Sequence, residues 1–363
     1  MKFRCERDVF VEALGAVGRA VGTRSSSPVL SGVHMQLQAG NLVLTATDLD
    51  LTISAALEVN GDLDGRAVIP AKLVTEIVRS LEPGAVSMET NGDQAHISAG
   101  RSQFSVNVYP ADEFPQLPVP GGEPVTIDAS ALSEGLRQVV PAASSDDSRP
   151  ILTGVLLAAE SEGLRLVATD SYRLAVRDLP GTSVLGEGQH VLIPSRALNE
   201  LNRVLAGSEE VTLALGEHDA RFSVGSVTLT TRLLEGEFPN YRGLIPSTQP
   251  NRLLVSRAAL LDAVRRVRLL AREATPVRLT LSSDSLELLA LTQDIGQASE
   301  SVDAKYEGSE LTVAFNPEYL LDGLEVTPGD EVSLETVDAL KPALLRSTES
   351  ADFLYLLMPV RVS

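Results

Sequence analysis

The chain has 363 residues, 44% apolar and 4% aromatic, with no tryptophan and a formal net charge of −19 at pH 7. Its cores must rest on Leu, Val and Ala, and the shortage of rings argues against an aromatic-lined sugar or single-strand nucleic-acid groove. The single cysteine, Cys5, excludes an internal disulfide framework and a multi-cysteine metal site, and the acidic charge opposes nucleic-acid binding, although net charge describes long-range fields rather than any one surface.

Met1-Lys2-Phe3-Arg4 carries no apolar run, and no later stretch reaches the length of a membrane span. No leader or anchor is therefore expected, and the protein should be soluble and cytoplasmic. Residues 8–20 place Val9, Phe10, Ala13, Leu14 and Val17 at helical spacing, with Asp8 as N-cap. Residues 37–44 alternate as a strand, and Asn60-Gly61-Asp62 signals a turn. Pro70 opens a second helix through Leu73, Ile77 and Val78 that stops before Pro83-Gly84. Asn91-Gly92-Asp93 is a turn before strands at 95–98 and 104–108, and the proline-rich 114–122 segment is a stiff linker.

The same order then recurs. Asp128 or Ser130 caps a helix over 132–140, Ser161-Glu162-Gly163 turns, Pro194 opens a helix over 198–205, and strands follow at 211–215 and 227–233 before a second linker at 238–246. Ser256 caps a helix over 259–270, a strand at 279–281 leads to the turn Ser282-Ser283-Asp284, Pro317 opens a helix over 319–326, and a strand at 354–357 comes last. Within this order, residues 43–51 (Val-Leu-Thr-Ala-Thr-Asp-Leu-Asp-Leu), 166–174 (Leu-Val-Ala-Thr-Asp-Ser-Tyr-Arg-Leu) and 288–294 (Leu-Leu-Ala-Leu-Thr-Gln-Asp) align Asp48, Asp170 and Asp294. A repeat of that length is a whole domain. The expectation is three similar α+β domains, at 1–120, 125–246 and 251–363, each with two helices on antiparallel sheets.

Thr47-Asp48 and Thr169-Asp170 could supply a nucleophile and base or metal oxygens, as in a metal-dependent hydrolase. Their repetition favours a strand-to-turn position where the side chains satisfy backbone amides. His34, His96, His190 and His218 are too dispersed for a metal cluster, and Asp146-Asp147 among Ser144, Ser145 and Ser148 reads as a flexible acidic loop. No cofactor is expected. The helices carry many arginines, and Arg24 and Arg149 sit in polar loops, a pattern equally suited to a solvated face or to DNA. Met358-Pro359-Val360 beyond the last strand is apolar with no obvious ladder to join, which suggests a partner-binding pocket. A repetitive scaffold that never meets DNA also fits these features.

Val-Ala-Thr-Asp-Ser-Tyr-Arg-Leu-Ala at 167–175, Phe-Pro-Asn-Tyr-Arg at 238–242, Leu-Met-Pro-Val-Arg at 357–361, and the opening Met-Lys-Phe with Leu44-Thr45-Ala46-Thr47-Asp48-Leu49 together resemble the bacterial DNA polymerase III beta subunit, the sliding-clamp family, over the whole chain. The resemblance implies three clamp-type domains forming half of a ring, closed by a head-to-tail homodimer around duplex DNA. It implies a non-enzymatic processivity factor that slides without reading sequence and tethers the DNA polymerase III alpha subunit, the clamp loader and other proteins bearing the clamp-binding motif, in the cytoplasm on the nucleoid. No membrane partner is implied.

By the same resemblance, a partner-peptide pocket between the second and third domains would draw on Leu152 and on Thr169, Ser171, Tyr172, Arg173 and Leu174. Pro239 and Leu244 of the linker, then Asn316, Tyr319 and Leu340, would add to it. Leu356, Leu357, Met358, Pro359, Val360 and Arg361 would complete it. Ser171-Tyr172 stands where the family commonly has Gly-His, Gly243 replaces an arginine, and Ala274 replaces a larger apolar residue. Arg24, Arg149 and Arg196 would contact DNA. The dimer contact would pair Phe104 and Val106 of one copy with Leu269 and Leu270 of the other, with Lys72 and Arg101 facing acids near Glu300.

Overall fold

The computed structural model describes residues 1–22, 27–117, 121–271 and 275–361. Arg24 and Ala274 lie outside them. The fold is α+β, and every paired strand in it is antiparallel among the described residues. It divides into two compact units, residues 1–130 with 196–233 and residues 131–195 with 234–363.

Unit 1 holds a five-stranded sheet in the order Asn60–Leu63, Lys2–Glu6, Ala85–Asn91, Gln94–Ala99, Ser102–Asn107. Its second sheet has eight strands, in the order Val125–Asp128, Glu210–Leu215, Asp219–Val224, Val227–Arg232, Leu51–Glu58, Asn41–Thr47, Gly32–Gln38, Gly65–Pro70. Unit 2 is built on a twelve-stranded sheet. Its order is His190–Pro194, Gly154–Glu160, Gly163–Thr169, Arg173–Pro180, Phe353–Leu357, Ala343–Ser347, Glu331–Thr336, Asn251–Ser256, Gly296–Glu307, Ser285–Thr292, Val277–Ser282, Leu311–Phe315. The helices are α1 (Arg7–Val17), α2 (Ala71–Ser80), α3 (Ala129–Val139), α4 (Ser195–Leu205), α5 (Arg257–Val267) and α6 (Pro317–Val326).

Helix α1 buries Phe10, Ala13, Leu14 and Val17, one face at helical spacing, with Phe10 meeting Phe3 edge-on at 5.7 Å. Asp8 is not its cap. The strand Lys2–Glu6 runs straight into the helix, the Arg7 amide donates to the Gly84 carbonyl at 2.8 Å, and Asp8 falls in the first turn. Ser256 does cap α5, accepting from the Ala259 amide. Pro70 and Pro194 close strands immediately before α2 and α4, and only Pro317 occupies the first helical position.

Two turn readings change. The 37–44 segment is not one strand: Ala39 and Gly40, at φ +49° and +79°, form a hairpin turn inside it. Asn60-Gly61-Asp62 is not a turn but part of a strand paired with Lys2–Glu6. A Cβ at Gly61 would be tight, 3.3 Å from Leu37 and 3.4 Å from the Gly40 Cα, so glycine fits this close approach of backbones.

Candidate functional site

The repeated Thr-Asp motif is a turn that consumes its own polar atoms. The Thr169 hydroxyl donates to the Arg173 carbonyl at 2.6 Å and accepts from the Ser171 amide at 3.2 Å. Asp170 Oδ1 accepts from the Tyr172 and Arg173 amides at 2.9 and 3.0 Å, and Oδ2 accepts from Arg173 Nε at 3.0 Å. The chain can reverse there because Ser171 sits at φ +81°. Thr47 and Asp48 make the same bonds to the amides of Leu49, Asp50 and Leu51, with Leu49 at φ +82°. In the third copy the residue at positive φ is Asp294 (+70°), so Gln293, not Asp294, stands in the aspartate position. With their oxygens spent on amides and an arginine, these carboxylates serve structure.

Arg173 ties this turn to α6. Its guanidinium is ion-paired with Asp170 and Asp322, lies 3.4 Å from the Tyr355 hydroxyl, and stacks over the Tyr319 ring at 4.4 Å. The Tyr355 hydroxyl in turn donates to the Tyr319 carbonyl at 3.0 Å. Burial would lower the Arg173 pKa, but Tyr355 and Asp322 together override it and hold the guanidinium above its ordinary range. Burial raises the Tyr355 and Tyr319 hydroxyls. Tyr319 is thereby fixed, and Tyr172, 58% exposed, stacks on it at 6.3 Å.

Among the described residues the apolar tail joins no ladder, as the sequence suggested, but it is pinned at two points. The Met358 amide donates to the Tyr172 carbonyl and the Val360 amide to the Ala314 carbonyl, each at 2.8 Å, so residues 358–360 are held between two carbonyls. Tyr172, Asn316, Tyr319, Met358, Pro359 and Val360 line a groove of about 350 Å³ together with Thr275 and Pro276. The sequence reading missed those last two residues. They flank a strand and belong to no recognisable motif.

Other expected pocket residues lie elsewhere in unit 2. Leu174 and Leu356 are buried in an apolar cluster with Leu156, Val176 and Leu344, against which Phe238 and Ile245 pack. Leu152, Thr169 and Leu357 are buried. Pro239 lines a separate cavity of about 490 Å³ with Leu156, Phe238 and Tyr241. Leu244 and Leu340 face solvent, 46% and 63% exposed, and Arg361 is exposed.

The cations expected at DNA carry acidic partners. Arg149 Nε donates to Asp146 at 2.9 Å and Nη1 approaches the Asp170 carbonyl and Ser171 Oγ at 3.4 Å. Asp146 accepts from the Ser148 amide and hydroxyl at 3.0 and 2.6 Å, which holds its carboxyl below the usual range. The acidic loop forms a hydrogen-bonded turn. Arg196 is ion-paired with Asp48.

Among the expected dimer residues, Phe104 and Val106 share one face of the edge strand Ser102–Asn107, Val106 buried and Phe104 37% exposed. Arg101 precedes that strand, and Lys72 is exposed on α2. Leu269 is 80% exposed and Leu270 half-buried in the turn after α5. Glu300 is already bonded to Arg266 at 2.6 and 3.1 Å, which lowers its pKa. Among the described residues, no helix is long and apolar enough to cross a membrane.

Comparison with known proteins gives three domain matches, to the N-terminal, central and C-terminal domains of the DNA polymerase III beta subunit, over residues 1–118, 126–240 and 242–361. The beta sliding clamp of Streptomyces coelicolor is 34% identical over 380 residues, covering 100% of both chains. That of Synechococcus elongatus is 36% identical over 373 residues with the same coverage. The crystal structure of the Bartonella birtlesii sliding clamp bound to griselimycin superposes with a TM-score of 0.94 at 34% identity, covering 100% of each chain. The chain belongs to the DNA polymerase III beta-subunit family, the beta sliding clamps.

Proposed function

We propose that this chain is a non-catalytic processivity factor. Two copies close head to tail into a ring around duplex DNA, slide without reading bases, and hold a replicative polymerase by a peptide seated in the groove beside Tyr172. The proposed domains are 1–120, 125–246 and 251–363. The proposed partners are the DNA polymerase III alpha subunit, the clamp loader and other proteins bearing the same short motif, and the proposed setting is the cytoplasm, on the nucleoid.

The observation that carries this reading is a pair of unfilled strand edges. In unit 1, Val227–Arg232 adds onto the strand that follows the first Thr-Asp turn, Leu229 facing Ile53 and Thr231 facing Leu51. In unit 2, Phe353–Leu357 adds in the same way onto the strand after the second turn, Tyr355 facing Ala175 and Leu357 facing Arg173. The strand after the third turn has a ladder partner on one side only over residues 296–300 among the described residues. Ser102–Asn107, the counterpart of Val227–Arg232 in its own hairpin, is likewise an open edge.

Open edges of this kind are templates for another chain. If the repeated register carries over from Asp294 and from the matching two-residue turns before 102 and 227, Phe104 of one copy would face Ala298 of the other and Val106 would face Gly296. A Cβ on Gly296 would lie 3.9 Å from Leu270, so in that register Val106 would come close to Leu270. Joining an edge at 102–107 to a different edge at 296–300 would make the contact heterologous, and such a contact closes as a ring only by rotation.

Apolar Met358, Pro359 and Val360 beside two tyrosines suit Leu or Phe anchors of an extended peptide. Arg149 and Arg196, partly exposed beside carboxylates, would exchange those partners for phosphates. Contacts of that kind are weak and compatible with sliding, and Arg24 remains a further candidate. The test is retention on nicked circular duplex, with loader and ATP supplied, before and after the circle is cut. Loss on linearisation supports encirclement. Equal binding to both forms, or to neither, refutes it.

A further inference from the structure

Unit 1 carries a groove of about 270 Å³ across the strands Asn41–Thr47, Leu51–Glu58, Val227–Arg232 and Asp219–Val224, with no acid in its lining among the described residues. The strand registers arrange this surface in rows. Thr47, Thr52, Thr230 and Arg221 face one another in one row, and Thr45, Ser54, Thr228 and Ser223 in the next. The corresponding rows of unit 2, placed by the second Thr-Asp turn, run Thr169, Leu174, Leu356, Leu344 and Val167, Val176, Leu354, Arg346. Where unit 2 sets leucine and valine, unit 1 sets hydroxyls and one guanidinium.

The buried Thr47 and Thr45 hydrogen-bond Thr52 and Ser54 at 2.8 and 2.9 Å and so orient their hydroxyls. The Thr228 and Thr230 hydroxyls and the Arg221 guanidinium have no partner among the described residues. Rows two residues apart along a strand are about 7 Å apart, which is the spacing at which an extended peptide presents alternate side chains.

We propose that this groove is a second docking site and that it takes an extended acidic peptide, a carboxylate forked by Arg221 with the hydroxyl rows bonding the remaining polar groups. The choice of a peptide leans on the proposed use of the unit 2 groove, whereas the choice of an anion rests on Arg221 and the acid-free lining alone.

The test is fluorescence anisotropy of a labelled (Glu-Ser)₃ peptide with the full chain at low salt. Saturable binding is expected, weakened about tenfold or more in Arg221→Gln by loss of the forked charge pair. It should also weaken in Thr52→Val/Thr230→Val, which keeps shape and charge but removes the hydroxyls. A labelled (Gln-Ser)₃ peptide should not bind, and an excess of unlabelled peptide with Leu and Phe anchors should leave the signal unchanged. Absence of saturation overturns the proposal, as does equal binding to Arg221→Gln, insensitivity to the double valine change, or displacement by the apolar peptide. Binding of the apolar peptide itself, measured separately, reports on the unit 2 groove, so failure of one site is distinguishable from failure of the other.

Discussion

Asp170 and Asp322 both pair with Arg173, yet their removal should have unequal consequences. The side chains of Arg173 and Asp170 are 10% and 9% exposed, while Asp322 is 38% exposed. Asp322→Ala leaves the guanidinium with Asp170, the Tyr355 hydroxyl and the Tyr319 face. The loss is then one charged hydrogen bond in a partly wet site, about 1–2 kcal/mol. Asp170→Ala removes the buried partner and the acceptor of two turn amides together, about 3–5 kcal/mol. The Met358 amide, bonded to the Tyr172 carbonyl, reports on the turn without contacting either aspartate. Hydrogen exchange of a fragment spanning it should quicken about tenfold in Asp322→Ala and several hundredfold in Asp170→Ala. Equal effects of the two variants, or none from either, would refute the view that this network holds the turn against α6.

Ser171→Gly should stabilise the protein by about 0.5 kcal/mol, because relief of a left-handed backbone at φ +81° slightly outweighs glycine's extra unfolded-state freedom, and thermal melting will show the sign. Leu269→Ala should weaken the proposed dimer about thirty- to several-hundredfold, since a side chain 80% exposed in one copy would lose about 1–2 kcal/mol of burial at each of the two head-to-tail contacts, measured by sedimentation across concentration. Burial pushes the Cys5 thiol from 9.0 up to about 12, so its contribution is intact below pH 9 and is lost as pH rises toward 12. The stability of the native chain should therefore fall faster than that of Cys5→Ala across that window, and parallel curves would exclude the effect.

The threefold repeat and the six α-helices of the described residues were legible because they depend on apolar spacing and, for some, on prolines near helix starts, which are local signals. The one-residue misplacement of Asp294 arose because a left-handed turn tolerates either order of its residues, and only φ marks the equivalent position. Asn60-Gly61-Asp62 has the composition of a turn, but its glycine answers to Leu37 and Gly40, distant in sequence. Asp8 has the chemistry of a cap, but the Gly84 carbonyl already serves the Arg7 amide. The groove was half visible. Tyr172, Asn316 and Met358 lie in distinctive motifs, while Thr275 and Pro276 join them only through the fold. The partners of Arg149 and Arg196 were likewise hidden, since ion pairs with Asp146 and Asp48 depend on side-chain placement.

The strand Phe353–Leu357 lies in the interior of its sheet, between Arg173–Pro180 and Ala343–Ser347. During synthesis, the edge at 173–180 must therefore wait, unpaired, for a segment that leaves the ribosome about 170 residues later, a delay of some ten seconds or more at ordinary elongation rates. Throughout that interval the nascent chain displays a strand rich in Leu, Ala and Val to its surroundings. Premature termination anywhere before residue 353 would leave it exposed for good, so truncated products should be insoluble or quickly cleared even though nearly all of the sequence has been made.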